Sequence, residues 1–165
     1  MNSISLSIDE IRNLLSQIPD PEIPVITIAD LGILREISIQ DNTCIISITP
    51  TYSGCPAMKM IEDEIIKKFR ENGVENVKIN MVYHPAWTTD WINDEAKEKL
   101  RIYGIAPPEK STVNKSSLMS ETKEIACPQC RSKNTEMISQ FGSTACKALY
   151  RCKDCKEAFD YFKCI

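Results

Sequence analysis

Two Cys-x-x-Cys pairs constrain this chain more than any other feature: Cys127-Pro-Gln-Cys130 and Cys152-Lys-Asp-Cys155. Each pair can offer two thiolates from one tight turn, and the turns stand about twenty residues apart, the spacing of a structural metal site. A hairpin between them would gather four sulfurs into the tetrahedral set that soft cations, zinc above all, prefer. Two disulfides or a redox Cys-x-x-Cys are the competing readings of the same residues. A segment this short builds little apolar core, so a bound metal would supply much of its folding energy.

The rest of the chain must carry its own core. With 165 residues, 42% of them hydrophobic, there is material for one modest domain and a small appendage. Charge is unevenly spread. Residues 1–104 hold ten basic and sixteen acidic side chains, and residues 123–165 hold eight and five. An excess of three positive charges in the cysteine-rich part is too small to argue for phosphate binding, so no nucleic-acid partner is expected. No signal-peptide pattern and no apolar run of spanning length appears, and a cytoplasmic chain without membrane contact is expected. Eight cysteines there favour metal or thiol chemistry over disulfides.

Periodicity predicts an α+β domain over residues 1–105, with helices packed on a small three-stranded sheet. A polar linker over 106–122 and a small β zinc ribbon over 123–165 follow. Ser7-Ile-Asp-Glu10 reads as a capping box, with Ile8, Ile11, Leu14, Leu15 and Ile18 at helical spacing until Pro19. The stretch from Asp20 to Gly32 is proline-rich yet apolar, so it must pack against the body or a partner. Ile33–Ile39 and Thr43–Thr49 read as a hairpin, and Val77, Ile79, Met81 and Tyr83 as a third strand. A helix is expected from about Pro56 to Asn72, with Met58, Ile61, Ile65 and Phe69 inward and Gly73 closing it. Another is expected from Asp90 to Tyr103, with Ile92, Ala96, Leu100 and Tyr103 on one stripe. In the ribbon, strands are expected at Thr135–Gln140, Cys146–Arg151 and Glu157–Phe162.

Cys55 stands directly before Pro56, a residue that favours the first helical position. As the N-cap it would face unpaired backbone N–H groups and the positive end of the helix dipole, which stabilise a thiolate. A small buried apolar residue is the competing reading. Cys44 alternates with Ile46 and Ile48 and reads as core. Cys146 and Cys164 exceed the tetrad: they can fill core, replace a ligand or form a second thiol pair, and Cys164 is the less easily buried. His84 is the only histidine, which excludes any two-histidine metal site. It reads as a polar end to a strand, with a Cys55–His84 nucleophilic pair as the sharper alternative. Asp20, Glu22 and Asp30 flank the proline loop, where turn and cap roles compete with a part in an interface. Trp87 and Trp91 are placed to anchor a helix or form an interface. No phosphate loop, nucleophile elbow or dinucleotide fingerprint occurs.

Asp20-Pro-Glu-Ile-Pro24 with Ile28-Ala-Asp-Leu-Gly-Ile-Leu34 resembles the signature loop of the SufT-like domain family of iron–sulfur cluster assembly. Thr51-Tyr-Ser-Gly-Cys-Pro56 is similar to that family's second motif, whose cysteine falls on Cys55. Pro85-Ala-Trp-Thr-Thr-Asp-Trp91, the stretch from Lys99 to Pro108, Phe141–Cys152 and the ending from Phe159 resemble the PaaD-like proteins of phenylacetate degradation. Cys127, Cys130, Cys146, Cys152, Cys155 and Cys164 match cysteines of that pattern. Arg131 departs from it, standing where zinc ribbons commonly place glycine. The resemblance implies structural zinc, transient iron or an iron–sulfur cluster at Cys55, and partners among the reductase or oxygenase subunits of a phenylacetyl-CoA epoxidase. It implies an accessory or maturation protein and no catalytic residues. A single histidine cannot furnish a di-iron carboxylate site. A structural subunit and a thiol enzyme using Cys55 are the rivals.

Overall fold

A computed structural model of the chain describes residues 5–109 and 125–163. They fall into two compact units, one ending at Trp87 and the other starting at Thr88.

The first unit is built on the expected three-stranded sheet, in the order β1-β2-β3. Helix α1 (Ile8–Leu15) starts at Ser7, whose side chain accepts from the Glu10 N–H while Glu10 reaches back to the Ser7 N–H, the full capping box. Ile11 and Leu15 are its buried residues. Strands β1 (Leu34–Gln40) and β2 (Thr43–Ile48) form an antiparallel hairpin. Asp41 and Asn42 turn it with φ of 46° and 58°, the left-handed values that two-residue hairpin loops need and that Asp and Asn tolerate. β2 is the central strand and buries Cys44, Ile46 and Ile48 at its alternate positions. Helix α2 (Ala57–Glu71) then crosses to β3 (Val77–Met81), which pairs parallel with β2. α2 buries Met58, Ile61, Ile65 and Phe69, as its spacing predicts, and Gly73 follows it at φ 76°. Tyr83, expected at the end of β3, lies beyond it and is exposed.

The proline-rich stretch packs against its own unit. Ile23, Ile26, Ile28, Leu31 and Ile33 are all buried. The segment is folded into a narrow bulb: Pro19 bridges Thr27, the Asp20 N–H donates to the Ile26 carbonyl at 2.8 Å, and the Ile28 N–H to the Ile18 carbonyl at 3.0 Å.

The second unit combines α3 (Asp94–Tyr103) with a four-stranded sheet in the order β4-β7-β6-β5. These strands are β4 (Ile105–Ala106), β5 (Thr135–Ser139), β6 (Lys147–Cys152) and β7 (Ala158–Phe162). β5, β6 and β7 follow one another antiparallel, as expected for a ribbon, whereas β4 joins β7 in parallel. Its core unites Ala106, Ile125, Cys127, Ala148, Tyr150, Cys152, Phe159 and Tyr161.

One expectation changes here. The helix foreseen from Asp90 breaks into a short 3-10 turn (Thr89–Trp91) and α3, because Ile92 is extended and Asn93 caps the new start through its side chain to the Ala96 N–H at 2.7 Å. Tyr103, at the last position of α3, is 54% exposed and lies off the buried stripe of Ala96 and Leu100. The first compact unit ends at Trp87, and α3 and β4 fall in the second, where β4 pairs with β7.

Candidate functional site

The four cysteines of the two Cys-x-x-Cys pairs converge. Their sulfurs all lie within 4.8 Å of one another. Cys127 Sγ is 3.7 Å from Cys155 Sγ, and Cys130 Sγ is 3.5 Å from Cys152 Sγ. A tetrahedron with Zn–S bonds of about 2.3 Å has edges of about 3.8 Å, so the set fits a single zinc ion. No pair approaches the S–S bond length of about 2.0 Å, and the cysteines are free, which sets aside the disulfide reading. Cys127 and Cys152 are buried in the unit's core, whereas Cys130 and Cys155 are exposed.

The sequence builds this geometry with two equivalent turns. After each pair the chain enters the left-handed region, at Arg131 (φ 64°) and Lys156 (φ 68°). Arg131 thus occupies the conformation that makes glycine common there. The first turn closes through the Arg131 N–H to the Cys127 carbonyl and the Cys127 N–H to the Ser132 carbonyl, both at 2.9 Å. The second closes through the Cys152 N–H to the Glu157 carbonyl at 2.8 Å. Backbone N–H groups also reach the sulfurs. The N–H of Cys155, helped by that of Asp154 and by neighbouring thiols, pulls the Cys152 thiol down to about 7. At Cys155 the N–H of Glu157 also favours the thiolate, but loss of solvent and hydrogen bonds with the other three thiols outweigh it and push that group up to about 12. The Cys130 and Cys155 thiols are thus raised while that of Cys152 is lowered, and a divalent ion at the centre would supply the charge that favours the thiolate form.

Around the tetrad, Asp154 accepts from Asn134 Nδ2 at 2.7 Å and from the Ser132 hydroxyl, and the Lys153 N–H meets the Asn134 carbonyl at 2.8 Å. Arg101 on α3 donates to the Pro128 carbonyl at 3.3 Å while paired with Glu98. The reading of the sequence missed these supports. Short polar residues within two to four positions of the cysteines are the one available signal, and turn chemistry alone explains such residues equally well.

Cys55 lies in the first unit. It is half-buried, neither sealed in the core nor fully open. Its place differs slightly from expectation: Pro56 holds the N-cap position of α2 with helical angles (φ −67°, ψ −23°), and no side chain caps the helix. Cys55 is therefore one residue further out. Its carbonyl accepts from the Met58 N–H at 3.2 Å, and its N–H donates to the Tyr52 carbonyl at 3.3 Å. Gly54 before it has φ 77°, and a Cβ there would meet nothing within 4 Å, so the loop is open on that side.

The candidate interface residues separate. Asp20 is buried, its Oδ1 accepting from the N–H groups of Glu22 (2.9 Å) and Ile23 (2.8 Å), the turn role that competed with an interface. Asp30 Oδ2 accepts from the Thr27 N–H at 3.0 Å and Thr27 Oγ1 from the Asp30 N–H at 3.1 Å, a reciprocal cap. Glu22 is half-exposed. Trp87 is 8% exposed and its Nε1 donates to the Leu31 carbonyl at 2.7 Å, so it anchors the bulb. Trp91 is half-buried in the second unit. His84 is exposed. Cys44 is fully buried, as read. Cys146 is buried with Thr144 Oγ1 at 3.0 Å from its sulfur, and Cys164 lies outside the described residues.

Both parts of the chain match known families. Residues 111–163 match the PaaD zinc beta ribbon domain, and residues 8–83 match a family described as iron-sulfur cluster assembly protein. Over 158 residues the chain is 51% identical to an Escherichia coli protein named as one of the subunits of 1,2-phenylacetyl-CoA epoxidase, covering 96% of this chain and 93% of that one. The chain belongs to the PaaD family. Two shorter relatives of this PaaD-family chain match about three-fifths of it across nearly their whole length. An Fe-S protein maturation auxiliary factor of Porphyromonas gingivalis is 35% identical over 103 residues, 61% of this chain and 97% of that one. The factor YitW of Bacillus subtilis is 32% identical over 96 residues, 57% of this chain and 93% of its own length. Among solved structures, a domain of unknown function from Bacillus anthracis shares 27% identity at a TM-score of 0.52, over 57% of this chain and 91% of that one. A conserved hypothetical protein from Thermotoga maritima shares 27% at 0.50, over 60% and 98%. The PaaD-family chain is thus α+β with a zinc ribbon. No helix among the described residues is long and apolar enough to cross a membrane.

Proposed function

We infer that this protein is an accessory factor that helps load iron or an iron–sulfur cluster into a phenylacetyl-CoA epoxidase, with Cys55 as the thiol that meets the metal. The observation carrying this reading is the half-buried Cys55 on an open loop where α2 begins, in a domain shared with proteins named as Fe-S maturation factors. A thiolate is the ligand that iron–sulfur clusters use. One thiolate completes no cluster, so the remaining ligands must come from a client or another thiol. Such a partial hold suits handing metal on rather than keeping it. The ribbon plays a different part: its four sulfurs form a closed set and hold structural zinc.

The client proposed is the reductase of the epoxidase system, whose cluster needs cysteine ligands, with the oxygenase as the less favoured choice. The chain assists this chemistry and does not oxidise the substrate. A structural subunit of the complex is the second reading, favoured by the name of the Escherichia coli relative. Co-expression separates the two. Reductase made with the Cys55→Ser chain should carry less iron and acid-labile sulfide than reductase made with wild type. Equal occupancy, together with stoichiometric co-purification, would establish the structural reading instead.

A further inference from the structure

The zinc tetrad is assembled from two turns that are far apart in sequence, and each turn alone supplies two sulfurs. A bound ion stays four-coordinate only while the turns stay together. Main-chain pairing brings them alongside: Thr135 at the start of β5 lies opposite Cys152, and the Lys153 N–H donates to the Asn134 carbonyl at 2.8 Å. Side chains carry the connection further into the turns. Asp154 lies between Cys152 and Cys155, yet both of its oxygens are used across the gap. Oδ1 accepts from Asn134 Nδ2 at 2.7 Å, and Oδ2 accepts from the Ser132 hydroxyl. Ser132 Oγ in turn accepts from the Asn134 N–H at 3.0 Å, and the Ser132 carbonyl accepts from the N–H of the ligand Cys127. The network therefore runs from one cysteine turn, through a carboxylate, into the backbone that positions a sulfur in the other.

We propose that Asp154 is a positioning residue for the metal, a clasp that fastens the second cysteine turn to the first and sets how slowly the tetrad releases zinc. Hydrogen bonds to a carboxylate are stronger than neutral ones, and two on one group form a geometric lock. Groups behind the ligands typically tune metal affinity by about 10- to 100-fold. Zinc leaves such a site stepwise, as one turn swings away and takes two sulfurs with it. A clasp across the turns opposes that first motion, although no clasp atom touches the ion.

The test uses the full-length zinc-loaded chain and follows zinc transfer to a chromogenic chelator. Asp154→Ala should speed release about 10- to 100-fold. Ser132→Ala should speed it too, and the double variant should fall short of the product of the two single effects, because both break one network. Glu95→Ala, which removes a surface partner of Lys99 on α3, should release zinc at the wild-type rate. Cobalt(II)-loaded Asp154→Ala should keep the wild-type ligand-field bands, since the four sulfurs are unchanged. Should Asp154→Ala fail to fold, Asn134→Ala removes only the Nδ2 bond and should give a smaller acceleration. Wild-type release rates from these clasp variants, multiplicative effects in the double variant, or shifted cobalt bands would each overturn the proposal.

Discussion

At the scale of single residues, this chain is decided by where a side chain meets backbone. Arg131 and Lys156 sit in the left-handed region behind the two cysteine turns. A side chain there costs about 1–2 kcal/mol that glycine avoids. Arg131→Gly should therefore raise the thermal midpoint of the zinc-loaded ribbon, by an amount equivalent to about 1 kcal/mol, and an unchanged or lower midpoint would contradict this account of the turn. Trp87 makes the opposite case. Trp87→Phe keeps an aromatic ring but leaves the Leu31 carbonyl without its indole donor, a loss of about 1–3 kcal/mol for a buried acceptor. Denaturant unfolding of the first unit should show it. The cysteines are the most legible residues of all, because four-sulfur coordination demands a fixed spacing that stands openly in the chain. The seat of Cys55 is less so: proline suits the first helical position, yet Pro56 holds the cap and moves the thiol one residue outward. Asp20 and Asp30 look alike in sequence as turn residues or interface residues, and only the bulb around them shows that backbone N–H groups occupy their carboxylates.

At the scale of elements, local signals are legible and distant pairings are not. α1, α2 and the β1–β2 hairpin announce themselves because each buries one face at its own period. The capping box of α1 also gives a pH signature. The Ser7 backbone N–H, and then its hydroxyl, hold the Glu10 carboxyl below its ordinary 4.5. A carboxyl lowered in the folded state adds stability above its unfolded value, and that contribution is lost as pH falls through the folded value. The first turn of α1 should thus begin to fray below about pH 4.5, seen as a lower protection of the Ile11 amide relative to its intrinsic exchange rate, while Glu10→Gln should remove that pH dependence. β4 illustrates the other case. Two residues, Ile105 and Ala106, become a strand only because Asp160 and Tyr161 lie beside them. No local pattern encodes that partner, so the segment reads as the end of the first domain and the first residue of a linker. The break before α3 is equally hidden, since Ile92 fits a helical stripe by spacing while its backbone is extended.

At the scale of the whole molecule, a unit carrying a four-cysteine cluster and one with an apolar core share a chain. The first unit rests on an apolar core running from Ile11 to Val74. The second counts Cys127 and Cys152 among its core residues, so an ion bound by them would support its packing. Chelation of zinc should abolish the slow amide exchange of β6 and β7 and leave that of β2 and α2 intact. Simultaneous loss in both would show that the first unit also leans on the metal. The division of labour proposed here assigns storage-tight coordination to the ribbon and transient coordination to Cys55. It is tested most directly by anaerobic loading of the zinc-bound full-length chain with iron-57 and sulfide, followed by Mössbauer spectroscopy of wild type and Cys55→Ser. The account predicts thiolate-bound iron in the wild type and its loss in the variant, with zinc retained in both. Iron bound equally by the two proteins, or by neither, would contradict it.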